Sequence, residues 1–223
     1  MPLIINNYTT PDYISGVWEM SENFSELYNL CKLTDYDKEY LSQITSPQRQ
    51  KELLSVRALL LALNLDIEIK YNGRKPICNK GFISISHSKD FATIIWHLTQ
   101  KTTIDIEKIS ERILKISERA FSEKEIQMVN NNIEGLTKLW CAKECVYKYF
   151  DYSELDFRTN IQITAINEVD KTINCCLIVD KKRFDIDLFF MKIRDNFLVW
   201  ESKYITRKIP LRVTLPSYKT PSF

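Results

Sequence analysis

"FISISHSKDFATIIW", Phe82–Trp96, is the stretch on which the reading of this chain turns. Its ends read as strands, about Phe82–Ser86 and Phe91–Leu98, rich in β-branched and aromatic residues and joined by a polar Ser-His-Ser-Lys-Asp turn. The alternation that begins at Phe82 fails where Ser86, His87 and Ser88 stand side by side, and His87 is one of only two histidines in the sequence. A few residues later "TTIDIEKIS", Thr102–Ser110, holds another strand, Thr103–Glu107, with two carboxylates set into an apolar run. Residues two apart on a strand share a face. Asp105 and Glu107 therefore project together while Ile104 and Ile106 enter a core.

Helices flank these strands. "PQRQKELLSVRALLLALNL" places Leu53, Val56, Leu60 and Leu63 at helical spacing, behind a Ser46-Pro47 start. "YNGRKPIC" is turn chemistry. "KISERILKISERAF" reads as one amphipathic helix with Ile109, Ile113, Ile116 and Ala120 on one face, and "TKLWCAKECVYKYF" as a second with Leu139, Ala142, Val146 and Tyr149 as its stripe. From about Ile161 to Tyr204 the pattern is strands, and "PLRVTLPSYKTPSF" reads as a loose tail. A helix followed by a strand pair turning at an Asp occurs twice, in "SKDFATIIW" and "RDNFLVW". The expectation is an α+β chain of two similar lobes meeting near residue 102, with boundaries 1–102, 103–210 and a tail 211–223.

The 223 residues suffice for a core that hides about 70–75% of the unfolded surface. Lysine and arginine outnumber the acids by only 31 to 29, which argues against a bulk nucleic-acid binder. "MPLIINNYTT" has no signal-peptide pattern, and no apolar run reaches the roughly 18 residues of a membrane helix. The six cysteines show no C-x-x-C pairing, so reduced thiols and a cytoplasmic location are expected.

Two readings of Asp105 and Glu107 follow from spacing. Like charges that close favour an intervening cation, and carboxylate oxygens suit Mg²⁺; alternatively the acids line an exposed face and pair with nearby lysines. Glu144 and Lys148 lie one helical turn apart, opposite the apolar stripe, as a functional pair or a surface pair. Taken alone, Arg49, Arg57, Arg74 and Lys75 read equally as solvated charge, and His87, in a turn, as a solvated or hydrogen-bonding residue.

Taken in order, "RQKELLSVR", "GRKP", "ISHS", "IDIEKI", "RAFSEKE" and "LWCAKECVYK" resemble the 4′-phosphopantetheinyl transferase family, in its two-lobed bacterial type that activates peptide and polyketide synthetases. The resemblance runs from about residue 47 to 150. It implies a pseudo-dimer of two small antiparallel sheets packed with helices, its active site between the lobes. It also implies transfer of the 4′-phosphopantetheine arm of coenzyme A to a carrier-protein serine, with 3′,5′-ADP leaving. Asp105, Glu107 and Glu144 would hold Mg²⁺, Glu144 would be the base and Lys148 would reach the pyrophosphate. Arg49, Lys75, Ser86 and His87, with Arg57 and Arg74, would cradle the nucleotide phosphates in the first lobe. The partner would be an acidic carrier, met by a basic stripe of Lys108, Arg112, Lys115 and Arg119, and the chain would act as a monomer. Two departures stand out: Thr103 occupies the place of a usual Gly, and "YFDYSELDF" lacks the Gly-containing loop that often follows the final Lys. Competing readings are a Mg²⁺-dependent phosphohydrolase acting on coenzyme A and a non-catalytic protein that binds coenzyme A or a synthetase.

Overall fold

A computed structural model of the chain describes residues 3–6, 10, 12–73, 75–152 and 154–201. Strands β1 (Leu3–Asn6) and β2 (Tyr13–Glu19) lead to helices α1 (Phe24–Leu30), α2 (Asp35–Gln43) and α3 (Pro47–Ala62). Reciprocal side-chain caps open the first two, Asn23 with Glu26 and Thr34 with Asp37, and Ser46 with Pro47 opens the third. A hairpin follows, β3 (Ile69–Asn72) and β4 (Lys75–Cys78), and then β5 (Phe82–His87) and β6 (Phe91–His97). Gly73 takes φ of 61° in the hairpin turn, a conformation glycine adopts without steric cost. The second half runs β7 (Ile104–Lys108), a 3-10 turn (Glu111–Ile113), α4 (Leu114–Ala120), α5 (Glu123–Met128), α6 (Ile133–Phe150), β8 (Ile161–Asn167), β9 (Thr172–Val179), β10 (Lys182–Ile193) and β11 (Asn196–Glu201).

Besides the β3-β4 hairpin, the strands form two antiparallel sheets, ordered β1-β2-β6-β5 and β7-β11-β10-β9-β8. They stack between helices. One face of the first sheet, with Ile14, Trp18, Ala92, Ile94 and Trp96, packs with Leu59 of α3 and with Leu63, which caps that helix. Its other face, Tyr13, Val17, Phe91 and Ile95, meets Ile104, Ile106, Leu198 and Trp200 of the second sheet in a shared core. Beyond that sheet Ile173, Leu188, Phe197 and Val199 pack with Leu139, Ala142 and Val146 of α6. Central strands in this stack are covered on both faces, so β2 and β6 are buried along nearly their whole length and show no two-residue alternation. Apart from the additional first strand β1, each half has one strand before a set of helices, the last of them the longest, and four strands after it.

The α+β expectation agrees with this architecture, and two local expectations change. "KISERILKISERAF" is not one helix. Lys108 ends β7, and the Ile109 N–H donates to the Asp195 carbonyl (2.8 Å), which prolongs the strand-like path and delays the helix to Leu114. "YNGRKPIC" contains a short ladder, pairing Asn72 with Lys75 and Ile69 with Cys78. The 211–223 tail and the end of the 103–210 span lie outside the described residues. All six cysteines are free thiols, and no helix among the described residues is long and apolar enough to cross a membrane.

Candidate functional site

The two sheets bring β5 and β7 alongside each other, and the serines of the opening motif make that junction. The Ile104 N–H donates to Ser84 Oγ (3.2 Å), and Ser86 Oγ donates to Asp105 Oδ1 (2.6 Å). Ser84 and Ser86 are buried, whereas His87 points the other way and stays about a third exposed. Part of the lost alternation at Ser86 is therefore explained by a bond to one of the two strand carboxylates.

Helix α6 supplies the opposite wall. Asn132 caps it, its Oδ1 accepting from the Gly135 N–H (2.6 Å), and its apolar stripe is buried on the second sheet. Thr103 Oγ1 donates to the Cys145 carbonyl (2.9 Å) and Cys145 Sγ to the Val199 carbonyl (3.2 Å), so the helix is fastened to the strands it faces. The Thr in the usual glycine position thus has a bonding partner. Fastened this way, α6 sets Lys148 Nζ 2.5 Å from Asp105 Oδ1 and 3.3 Å from the Ile104 carbonyl.

Asp105 is 3% exposed, and its Oδ2 is buried with no hydrogen-bond partner. Glu107 and Glu144 stand close enough to feel its charge. Burial, then the Asp105 and Glu144 charges, push the Glu107 carboxyl up to about 8, against the pull of Lys148 and a hydrogen bond from the Trp140 indole. Burial followed by the Asp105 charge lifts Glu144 to about 7. For Lys148 burial works against the ammonium, but the Asp105 carboxylate outweighs it and holds the charge on. The three acids and Lys148 thus lie within electrostatic reach of one another, with Lys148 bonded to Asp105. The acids' hard oxygen donors match a divalent cation such as Mg²⁺ in kind, and the unpartnered Asp105 oxygen is a donor left over for one. Among the described residues no group of three or more His, Cys, Asp or Glu side chains already stands in a metal-holding arrangement.

The basic residues are distributed unevenly. His87 Nε2 lies 3.3 Å from Glu52 Oε2 on α3. Burial lowers its pKa, Glu52 opposes, and the nearby Arg49 and Lys148 charges lower it further. Arg49, His87 and Lys148 therefore share one electrostatic neighbourhood. Lys75 is exposed and paired with Asp151, the left-handed C-cap of α6, across the two halves of the chain. Arg57 does not join them. Its Nε and Nη2 donate to Asp37 Oδ1 (2.8 and 2.6 Å) and Nη2 to the Ile69 carbonyl (3.2 Å), with the pair almost wholly buried. The expectation that Arg57 binds phosphate is corrected to a structural ion pair, because its charge is already matched inside the first-half core. Arg74 lies outside the described residues.

Glu107 opens on a cleft of ≈ 390 Å³ lined by Ser88, Lys108, Arg112, Ile116 and Trp140 among others. Of the expected basic stripe, Arg112, Lys115 and Arg119 are exposed, but Lys108 belongs to β7 and is bonded to Asp90 (2.7 Å). Sequence reasoning passed over Lys143 and Glu125. Lys143 is fully buried and donates to Glu125 (3.0 Å) and to the Phe157 and Ile161 carbonyls (2.6 Å each). The available signals were a lysine four residues after Leu139, on the apolar stripe, and the Ser122–Glu125 capping box.

Residues 103–197 match the family model described as the 4′-phosphopantetheinyl transferase superfamily. That span includes Asp105, Glu107, Glu144 and Lys148 and excludes Arg49, Lys75 and His87. No curated protein matches the chain.

Proposed function

We propose, from the match of residues 103–197 to the family model of the 4′-phosphopantetheinyl transferase superfamily, that this protein transfers the 4′-phosphopantetheine arm of coenzyme A to a serine of an apo carrier protein. The supporting observation is that Lys148 and Ser86 of the opposite sheet meet on one Asp105 oxygen, with Glu107 and Glu144 within electrostatic reach of that carboxylate. The serine oxygen forms a bond to the phosphorus that bears the pantetheine arm, and the bond from that phosphorus to the departing 3′,5′-ADP breaks.

Phosphoryl transfer asks a protein mainly to position groups and to offset charge. Asp105, Glu107 and Glu144 would hold Mg²⁺, which when bound would neutralise the pyrophosphate of coenzyme A. Lys148, kept charged by Asp105, places a second positive charge beside the same phosphates. Glu144 would also take the serine proton, directly or through a water. Arg49, His87 and Lys75 would cradle the nucleotide phosphates, Lys75 exchanging Asp151 for them. The element order that occurs in both halves supports a two-lobed enzyme, 1–102 and 103–210, with its site at the junction. One chain then holds both sides of the site and works as a monomer, in the cytoplasm, where its six thiols stay reduced. The carrier it meets would be acidic, drawn by Arg112, Lys115 and Arg119 beside the cleft.

Asp105→Ala and Glu144→Ala test the reading. Each should abolish labelling of a carrier while leaving the circular-dichroism spectrum unchanged. Near-normal turnover by either at saturating Mg²⁺ contradicts the assignment, and release of 4′-phosphopantetheine from coenzyme A without a carrier points to a hydrolase instead.

A further inference from the structure

Strand β5 sorts its side chains into two sets. Ile83 and Ile85 pack with the core beneath α3, while Ser84 and Ser86, two residues apart, share the face that meets β7. The two serines do different things there. Ser84 Oγ bonds only backbone, accepting the Ile104 N–H (3.2 Å) and donating to the Ile104 carbonyl (3.5 Å). Ser86 Oγ donates to the Asp105 carboxylate at 2.6 Å. Strand β7 alternates in its turn: Ile104 and Ile106 enter the core shared by the sheets, and Asp105 lies on the other face, where Lys148 of α6 reaches the same Oδ1 at 2.5 Å. The carboxylate is therefore lopsided. One oxygen holds two donors, and the other, Oδ2, is buried with none.

We infer, on the functional reading above, that Ser86 is a positioning residue for Asp105: its hydroxyl, with the Lys148 ammonium, ties down Oδ1 and leaves Oδ2 as the oxygen that meets the cation. The sequence motif suggests a phosphate contact for Ser86, but a hydroxyl carries one proton. That proton goes to Asp105, so the side chain has none to donate to a phosphate oxygen. A buried carboxylate oxygen without a partner is costly. A cation at Oδ2 offsets that cost, provided the carboxylate does not rotate and exchange its two oxygens. Two donors on Oδ1, one from β5 and one from α6, oppose the rotation. Ser86 lies on the first sheet and outside residues 103–197, so the first half of the chain orients a ligand that belongs to the second. Residues that orient a metal ligand through a hydrogen bond affect metal affinity by about 10–100-fold. Lys148 stays on Oδ1 when the hydroxyl is removed, so the lower end of that range applies.

Calorimetry of coenzyme A binding across a Mg²⁺ series, with no carrier present, reads this without turnover. Ser86→Ala should raise the Mg²⁺ needed for half-maximal binding roughly tenfold, and wild-type affinity for coenzyme A should return at saturating Mg²⁺. Ser86→Cys, similar in shape but a weaker donor, should fall between wild type and Ser86→Ala. Ser84→Ala loosens the same seam between β5 and β7 without touching a carboxylate, and should keep the wild-type Mg²⁺ requirement. Three results overturn the inference. An unchanged requirement in Ser86→Ala is one, and a requirement raised equally by Ser84→Ala is another, since the seam would then act only structurally. The third is coenzyme A binding weakened by one factor at every Mg²⁺ concentration in Ser86→Ala, which returns the hydroxyl to the phosphates. Wild-type protein that binds coenzyme A equally with and without Mg²⁺ overturns the functional reading instead.

Discussion

Removing the Asp37 carboxylate should cost this fold more than removing most of its surface charges together. Asp37 Oδ1 accepts both Nε and Nη2 of Arg57, and its Oδ2 caps α2 through the Thr34 N–H (3.2 Å) and hydroxyl (3.0 Å). Both partners of the ion pair are about 5% exposed. Asp37→Ala therefore leaves a guanidinium buried without its counter-charge, a change worth about 3–5 kcal/mol, with the lost cap adding about 1. For a chain of this size the sum corresponds to a fall in melting temperature of roughly 8–24 °C. Urea unfolding at neutral pH measures it, with Arg57→Met and the double change Asp37→Ala/Arg57→Met as companions. The double change removes both charges, so it should lose clearly less than the two single changes added together. A loss below about 1 kcal/mol in Asp37→Ala would refute the burial argument. Arg57→Met with normal stability and a raised KM for coenzyme A would return Arg57 to the phosphate-binding set.

Three other outcomes follow from the site. Glu107 keeps its proton to about pH 8 in the fold but ionises near 4.5 when unfolded, so the folded state binds the extra proton and stability falls as pH rises through that interval. In EDTA, Glu107→Gln should flatten that fall and be the more stable protein at pH 8; a variant weaker than wild type at pH 8 contradicts this. His87→Ala and Lys75→Ala should each raise the KM for coenzyme A, and dephospho-coenzyme A should be less affected at whichever residue meets the 3′-phosphate. Equal losses with both substrates at both residues exclude that contact. Reversing Arg112 and Lys115 to Glu should raise the KM for an acidic carrier at low salt and leave that for coenzyme A nearly unchanged, and an unmoved carrier KM shows the stripe to be only a solvated face.

The carboxylate side of the site was readable from the sequence because two simple periods determine it. A spacing of two placed Asp105 and Glu107 on one strand face, and a spacing of four placed Glu144 and Lys148 on one helix face. Arg57 carried no such mark: its acid lies 20 residues earlier on another helix, and only packing reveals the pair. The β2 strand was passed over because "YISGVWE" is buried on both faces and so lacks alternation, and the hairpin at Asn72-Gly73 because its strands are only four residues long. The helix expected from Lys108 has an apolar face where one was drawn, with Ile113 and Ala120 buried, yet its start is decided by the Asp195 carbonyl, a partner far along the chain. Buried Lys143 follows the same rule. A lysine on an apolar stripe is legible as an anomaly, but the carbonyls that satisfy it belong to a loop whose path the sequence does not spell out.

The central claim is transfer from coenzyme A to a carrier serine with Mg²⁺ held by Asp105, Glu107 and Glu144. Intact-protein mass spectrometry of an apo carrier incubated with this protein, coenzyme A and Mg²⁺ tests it most directly. The account predicts a single phosphopantetheine increment on the carrier, one equivalent of 3′,5′-ADP, and neither product in EDTA or with Glu144→Ala. A panel of apo carriers that are all modified by an unrelated holo-carrier synthase, yet gain no mass with this protein at any Mg²⁺ concentration, would contradict it.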